Sequence, residues 1–255
     1  MSLFNQFKEY VQQDKPVTLA VVVRGPDQLL GCKAVIPAEG EPAGALLETR
    51  WAAPVLADAR DLMQRRSSET RWYAGPSAGE EGNDGEIEVF FEVHRPAPRL
   101  IIVGGVHIAI DLIHFAKPLG FRTYLVDPRT AFASPERFPH VDEIVSQWPD
   151  EALSQIGLTS DTGVVVVTHD PKLDDPALLV ALPSPAFYVG ALGSPKTHAR
   201  RVERLLGEGL AREHLDRLRA PIGLNIGGRT PAEIALSIMA EIVAVRHQMP
   251  VAGGK

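Results

Sequence analysis

The sequence predicts an α/β protein in which a small α+β unit precedes a doubly wound domain built on a parallel sheet. Three observations carry this. From residue 99 onward, continuous apolar runs such as "RLIIVG", "RTYLVD", "GVVVVTH" and "AFYVGAL" are separated by helical patterns. Strands that are apolar at every position need cover on both faces, and helices between them favour parallel pairing. Before residue 95 the pattern differs, with "EIEVFFEV" (86–93) alternating in the manner of a half-exposed strand. Between the two, "HRPAPR" (94–99) carries two prolines and marks a boundary, giving domains of 1–95 and 99–255.

Each element has its own warrant. "VTLAVVV" (17–23) and "CKAVI" (32–36) read as strands joined through "RGPDQLLG", whose Gly and Pro make the turn. "APVLADARDLMQRR" then sets Val55, Ala59, Leu62 and Met63 at helical spacing, and "GPSAGEEGNDG" (75–85) is a loop by composition. In the second half the order is strand 99–104, helix "HIAIDLIHFAK", strand 122–127, short strand "VDEIV", helix "PDEALSQIG" and strand "GVVVVTH". Helix "DPALLVAL", strand "AFYVGAL", a long helix from Ser194 and a last helix from Pro231 follow. Thr230-Pro231-Ala232-Glu233 fits a capping box with Pro at the first helical position, and Ile234, Ala235, Ile238, Met239 and Ile242 continue it as an apolar stripe.

Composition excludes several classes of function. A chain of 255 residues that is 45% hydrophobic and 23% charged is an ordinary globular protein able to bury a core, and a net charge of -6 provides no basic field for DNA or RNA. The opening "MSLFNQFKEYVQQDKP" has no apolar core of signal-peptide length, and "VVVV" (164–167) is far too short to span a bilayer, so the expectation is a cytoplasmic protein with no membrane contact. The single cysteine, Cys32, rules out an internal disulfide and a Cys-rich zinc site; it reads as a small apolar residue beside a strand. With only scattered His and Asp on offer, no metal site is expected.

In open α/β sheets ligands bind beyond the carboxyl ends of the strands, and four such ends carry suggestive residues. Gly104, Gly105, Val106, His107, Ile108 and Ala109 fill the six places of G-x-G-x-x-G/A, with Val106 standing where the pyrophosphate needs a second glycine. Asp127 follows about 20 residues on, positioned for a ribose hydroxyl, with Arg129 beside it for a phosphate. His169 and Asp170 end the third strand, either facing the cleft or simply opening a helix. The fourth end, "YVGALGSPKTHARR", offers Gly190 and Gly193 for an unusual backbone, Ser194 at a helix start, and Lys196 and Arg200 as cations. It is the strongest anion candidate of the four. No catalytic residue set can be named.

The blocks "LIIVGGVHIAIDLIHFAKPLGFRTYLVDPRTAFASPERFP", "VVVVTHDPKLDDPALLVAL", "FYVGALGSPKTHARRVERLLGEGL" and "APIGLNIGGRTPAEIALSIMAEIVAVR" occur in this order. Together they closely resemble the XdhC/CoxI family, accessory proteins of molybdenum hydroxylases such as xanthine dehydrogenase and carbon monoxide dehydrogenase. The resemblance implies an N-terminal domain followed by a Rossmann-like domain, often as a homodimer. It also implies binding of molybdenum cofactor (molybdopterin), help in exchanging its oxo ligand for sulfur with a cysteine desulfurase as a possible source, and delivery to the hydroxylase apoenzyme. Carried over by position, Gly104, Gly105, His107, Asp127, His169, Asp170, Gly193, Ser194 and Lys196 would line the cleft. Two departures stand out: Val106 replaces a glycine, and "GALLETRWAAP" runs where the family has a Gly-Gly-Cys segment, Cys32 lying elsewhere. The alternatives are an NAD(P)-binding oxidoreductase using the same cleft, or a degenerate Rossmann relative that binds only a partner.

Overall fold

The computed structural model describes residues 2–13, 15–74 and 86–249, so the acidic Gly-rich stretch 75–85 read as a loop lies outside the described residues. Two compact units make up the chain, Met1–Pro96 and Ala97–Lys255.

In the first unit four antiparallel strands, β1 (Val17–Arg24), β2 (Lys33–Pro37), β3 (Glu69–Tyr73) and β4 (Ile87–His94), lie in the order β2-β1-β4-β3. The β1–β2 hairpin closes where the amide of Gly31, at φ +77, donates to Val22. The helix predicted after it is α2 (Ala52–Arg65), following α1 (Leu3–Gln12) and a short 3-10 turn at Ala45–Glu48. It buries Val55, Ala59, Leu62 and Met63, and the core formed with Ala20, Val22, Ile36 and Phe91 excludes water. Helix α1 and strand β3 were not expected. Strand β3 reads "ETRWY", with no alternation of apolar and polar residues to mark it, whereas α1 carries Leu3, Phe7, Tyr10 and Val11 at helical spacing, a half-buried stripe that the reading of the sequence passed over.

The second unit is a six-stranded sheet, all of whose pairings are parallel, in the order β10-β9-β8-β5-β6-β7. Its strands are β5 (Arg99–Val103), β6 (Arg122–Val126), β7 (Glu143–Val145), β8 (Thr162–Val166), β9 (Tyr188–Ala191) and β10 (Leu218–Arg219). Helices α3 (His107–Ala116), α4 (Pro149–Ile156), α5 (Pro171–Ala181), α6 (Pro195–Gly207), α7 (Arg212–Leu215) and α8 (Pro231–Arg246) connect and follow them. Alternate residues of β5 feed opposite cores: Leu100 and Ile102 pack with α3 and α8, whereas Ile101 and Val103 pack with α4, α5 and α6. Both faces are therefore covered, which is why the central strands β5 and β8 carry apolar residues on both sides. The strand order reverses between β5 and β8, and Val103 pairs with both Val126 and Val166. Three chain crossings thus leave the sheet at one level, at the switch point where such folds open a crevice.

One helix begins earlier than the sequence suggests. The chain carries Asp-Pro twice, at 170–171 and 175–176, and both read as a cap followed by a first-turn proline. The true cap is Asp170, whose carboxylate accepts the amide of Lys172, so α5 starts at Pro171 and carries Pro176 inside, at the loss of one helical hydrogen bond. Helix α8 matches its signature: Thr230 Oγ1 accepts from Glu233 N, and Glu233 accepts from the amides of Arg229 and Thr230. Its stripe buries Ala235, Ile238, Met239 and Ile242. Glu241 is buried too, held between the Tyr188 hydroxyl at 2.5 Å and the Gly223 amide at 2.9 Å, so it ties the segment after β10 to the helix. Burial, and after it the Glu241 charge, push the Tyr188 phenol well above its ordinary value. No described helix is long and apolar enough to cross a membrane.

Thr230→Ala removes the hydroxyl half of the α8 capping box. The expected cost is about 1 kcal/mol of unfolding free energy, read as a lower urea midpoint at unchanged slope.

Candidate functional site

Apart from Gly190, which lies inside β9, the sequence-predicted positions gather at the carboxyl edge of the parallel sheet, because each follows a strand that runs in the same direction. The turn after β5 is shaped by its neighbours. Gly104 has φ +117, a region other residues avoid, and a Cβ there would stand 2.6 Å from Thr168 Cγ2 and 3.2 Å from the Thr168 amide nitrogen. A Cβ on Gly105 would stand 2.5 Å from the carbonyl oxygen of Phe132. Both glycines are thus used to let the segments after β8 and β6 close onto this turn. Val106 caps α3 without a side-chain hydrogen bond and packs its isopropyl group against the core, while His107, the first residue of the helix, is exposed.

Asp127 has no solvent exposure, and its partners are all within the protein. Oδ2 accepts from Gly105 N at 2.8 Å and Arg129 Nη2 at 2.8 Å; Oδ1 accepts from Arg129 N at 3.0 Å and Arg129 Nε at 2.9 Å. A carboxylate offers about four acceptor positions, and these bonds fill them, so nothing remains for a ribose hydroxyl. The same bonds engage Arg129, whose guanidinium also lies 4.2 Å from the centre of the Phe132 ring. Burial raises the Asp127 carboxyl, but hydrogen bonds from Arg129 and the Gly105 amide outweigh it and hold the group below the usual carboxylate range.

Past β8, His169 sits exposed at φ +66, and Asp170 is occupied as the cap of α5. Thr168 instead reaches Asp174, two per cent exposed on α5, whose carboxylate accepts the Thr168 hydroxyl at 2.5 Å and Arg201 Nη2 at 3.1 Å. Arg201 comes from the second turn of α6, is one per cent exposed, and shares Nη2 with the carbonyl of Leu192 at 2.9 Å. Sequence reasoning passed over both residues. Burial pushes the Asp174 carboxyl above its ordinary value against the opposing pull of Thr168 and Arg201. The pair joins the β8–α5 and β9–α6 connections from below.

At the fourth end, Gly193 has φ +149, Ser194 Oγ caps α6 by accepting Thr197 N at 3.2 Å, and Lys196 is exposed on the first turn. Gly190 lies apart from these. It is buried inside β9, and a Cβ there would meet Ile222 at 2.6 Å, so the missing side chain makes room for the segment after β10. Among the described residues no cluster of His, Cys, Asp and Glu is arranged to hold a metal ion. For Asp127 the pH dependence has a definite sign: its folded value is lowered, so its contribution is complete above the unfolded carboxylate range, near pH 4, and fades as pH falls below that. Asp127→Asn is expected to cost about 1–3 kcal/mol at neutral pH and to flatten the acid limb of a stability-versus-pH curve measured by denaturant titration.

Comparison with known proteins extends over the same region. The family model for the XdhC Rossmann domain matches residues 100–242. The chain is 31% identical to "Molybdenum cofactor insertion chaperone PaoD" of Escherichia coli K12 over 84% of its length, and 31% identical to a protein of Bacillus subtilis 168 described as a probable xanthine dehydrogenase subunit, over 66%. It is 28% identical to "Uncharacterized protein YqeB" of Escherichia coli K12 over 98% of its length. The chain spans 47% of the length of YqeB, 49% of the Bacillus subtilis protein and 63% of PaoD. Among solved structures, a protein described as a xanthine dehydrogenase from Bacillus halodurans superposes with a TM-score of 0.56 at 20% identity, covering 100% of this chain and 98% of the other, which shows a shared fold. The domain match spans more than half of the chain: the protein belongs to the XdhC family.

Proposed function

We propose that this protein is an accessory factor in the maturation of a molybdenum hydroxylase, holding molybdenum cofactor at the carboxyl edge of its parallel sheet and presenting it to the apoenzyme. The single observation that carries the reading is the pairing of XdhC membership with an open, cation-bearing turn at Gly193–Lys196, beside a dinucleotide-type turn whose acid is already satisfied. The names of two relatives point the same way, one as a cofactor insertion chaperone and one as a probable component of xanthine dehydrogenase.

The residues present fit a phosphate-bearing cofactor at one end. Gly193 leaves a space beside Thr197 and Arg201 that a Cβ would fill, Ser194 caps a helix whose N-terminus favours anions, and Lys196 is exposed on its first turn. When bound, the cofactor supplies the molybdenum centre that the hydroxylase will use. This chain's part is to bind the anionic end, leave the opposite end accessible at the exposed His107 and His169, and release it. Sulfuration with a cysteine desulfurase, a homodimeric state and a cytoplasmic location belong to the same reading. The sole cysteine, Cys32, is half-buried just before β2, with its thiol facing the Gln28 carbonyl at 3.9 Å. A sulfur donor in this reading therefore acts through a partner. The oxidoreductase alternative has less support, because Asp127 has no acceptor left for a ribose.

Expression alongside the molybdopterin pathway tests the proposal. Molybdenum and pterin should co-purify with the wild-type chain, and Lys196→Glu should lower the pterin content about tenfold, the size expected when an ion pair becomes a repulsion. Protein free of both, or a micromolar dissociation constant for NAD or NADP by calorimetry, would overturn it in favour of the alternative.

A further inference from the structure

The β9–α6 connection contains buried polar atoms that the anchoring of the loops leaves unused. In a helix, side chains lean toward the N-terminus, so Arg201, on the second turn of α6, reaches back under the residues that precede the helix. Its Nη2 is spent on Asp174 and Leu192, but among the described residues Nε and Nη1 have no partner, and neither has His198 Nδ1, one turn nearer the helix start. Unpaired donors in a side chain one per cent exposed are costly, and native proteins seldom leave them without a reason.

A Cβ on Gly193 would stand 3.2 Å from Thr197 Cγ2 and 3.7 Å from Arg201 Nη1, so the glycine keeps the guanidinium within reach of the turn beside the Thr197 methyl. At this turn the amides available to an anion are few: Pro195 has none, and that of Thr197 is taken by Ser194 Oγ. Among the described residues the amides of Gly193, Ser194 and Lys196 remain. Backbone amides alone hold a dianion poorly, whereas amides beside a buried guanidinium make a charge-assisted cradle. The existing counter-ion is only a partial match, since Asp174 shares its carboxylate with the Thr168 hydroxyl.

We infer that the β9–α6 turn is a phosphomonoester subsite, in which Arg201, reached through the space left by Gly193, supplies the cation and the Gly193, Ser194 and Lys196 amides complete the cradle. The inference rests on the reading that the cleft receives a phosphate-bearing cofactor, and it assigns the end of the ligand that is held. Burial, and after it the Arg201 charge, hold the His198 imidazole below its ordinary value, so the cation at this turn is the guanidinium.

The test uses the full chain and inorganic phosphate, followed by backbone amide shifts. Phosphate should move the amides of residues 193–197 saturably, with chloride at equal ionic strength leaving them in place. Removing one partner of a buried pair endangers the fold, so the variant is the double substitution Arg201→Met with Asp174→Asn, which leaves no orphan charge. It should keep the wild-type amide spectrum elsewhere and bind phosphate at least tenfold more weakly. Equal responses to phosphate and to adenosine monophosphate would assign the site to the phosphate alone, and a stronger response to the nucleotide would extend it to a nucleotide end; both uphold the subsite. No shift at 193–197, or an undiminished shift in the double variant, overturns it. If that happens while pterin still co-purifies, this assignment fails and the accessory-factor reading stands.

Discussion

A buried carboxylate is tolerable only when hydrogen bonds replace the water it has lost, and this sheet edge holds two: Asp127, just past β6, with four bonds, and Asp174, in the first turns of α5, with two. Asp127 closes the β5 and β6 ends by binding the Gly105 amide and wrapping Arg129 about itself. Asp174 closes the β8 and β9 ends through Thr168 and Arg201. Parallel strands make this necessary. Each must leave the sheet through an irregular connection at the same level, and these connections crowd together with polar backbone that water reaches poorly. The two carboxylates turn the crowding into a fixed floor.

The fold was largely legible because its apolar patterns are long and its helix starts are chemically explicit. The stripes of α2 and α8 and the capping box at Thr230 needed nothing beyond spacing. Short elements were not legible: β10 has two residues and α7 has four, about one period each, too little for a pattern to repeat. The helix α5 was misplaced by an ambiguity that local sequence cannot resolve, since Asp175-Pro176 carries the same cap-and-proline signal as Asp170-Pro171.

The site was less legible, for a reason that its glycines make plain. A glycine in a loop announces that something lies too close for a Cβ, but not what. At Gly104, Gly105 and Gly190 the close neighbour is the protein's own Thr168, Phe132 and Ile222. Asp127 likewise stands where a ribose ligand would be bound in a dinucleotide fold, yet its partners are internal. Asp174 and Arg201, by contrast, left a signal. Asp174 lies three and four residues before Ala177 and Leu178, and Arg201 four before Leu205, so each stands on the buried stripe of its helix. A charge on an apolar stripe, matched by an opposite charge on the stripe of the next helix, is a pairing that spacing alone can reveal.

That pairing also explains why the two halves of the edge differ in chemistry. On the β5–β6 side, donors and acceptors are balanced: four bonds converge on one carboxylate, and Arg129 is drawn inward and stacked on Phe132. On the β9 side the balance is unequal, because a guanidinium with five N–H donors faces a carboxylate already engaged by a hydroxyl, and a carbonyl. The excess is positive and lies beside Gly193. The usual dinucleotide corner is saturated, and among the described residues the unpaired donors of this edge lie beyond it, at α6. Charge balance at two buried carboxylates is therefore what makes the two halves of one edge chemically unlike.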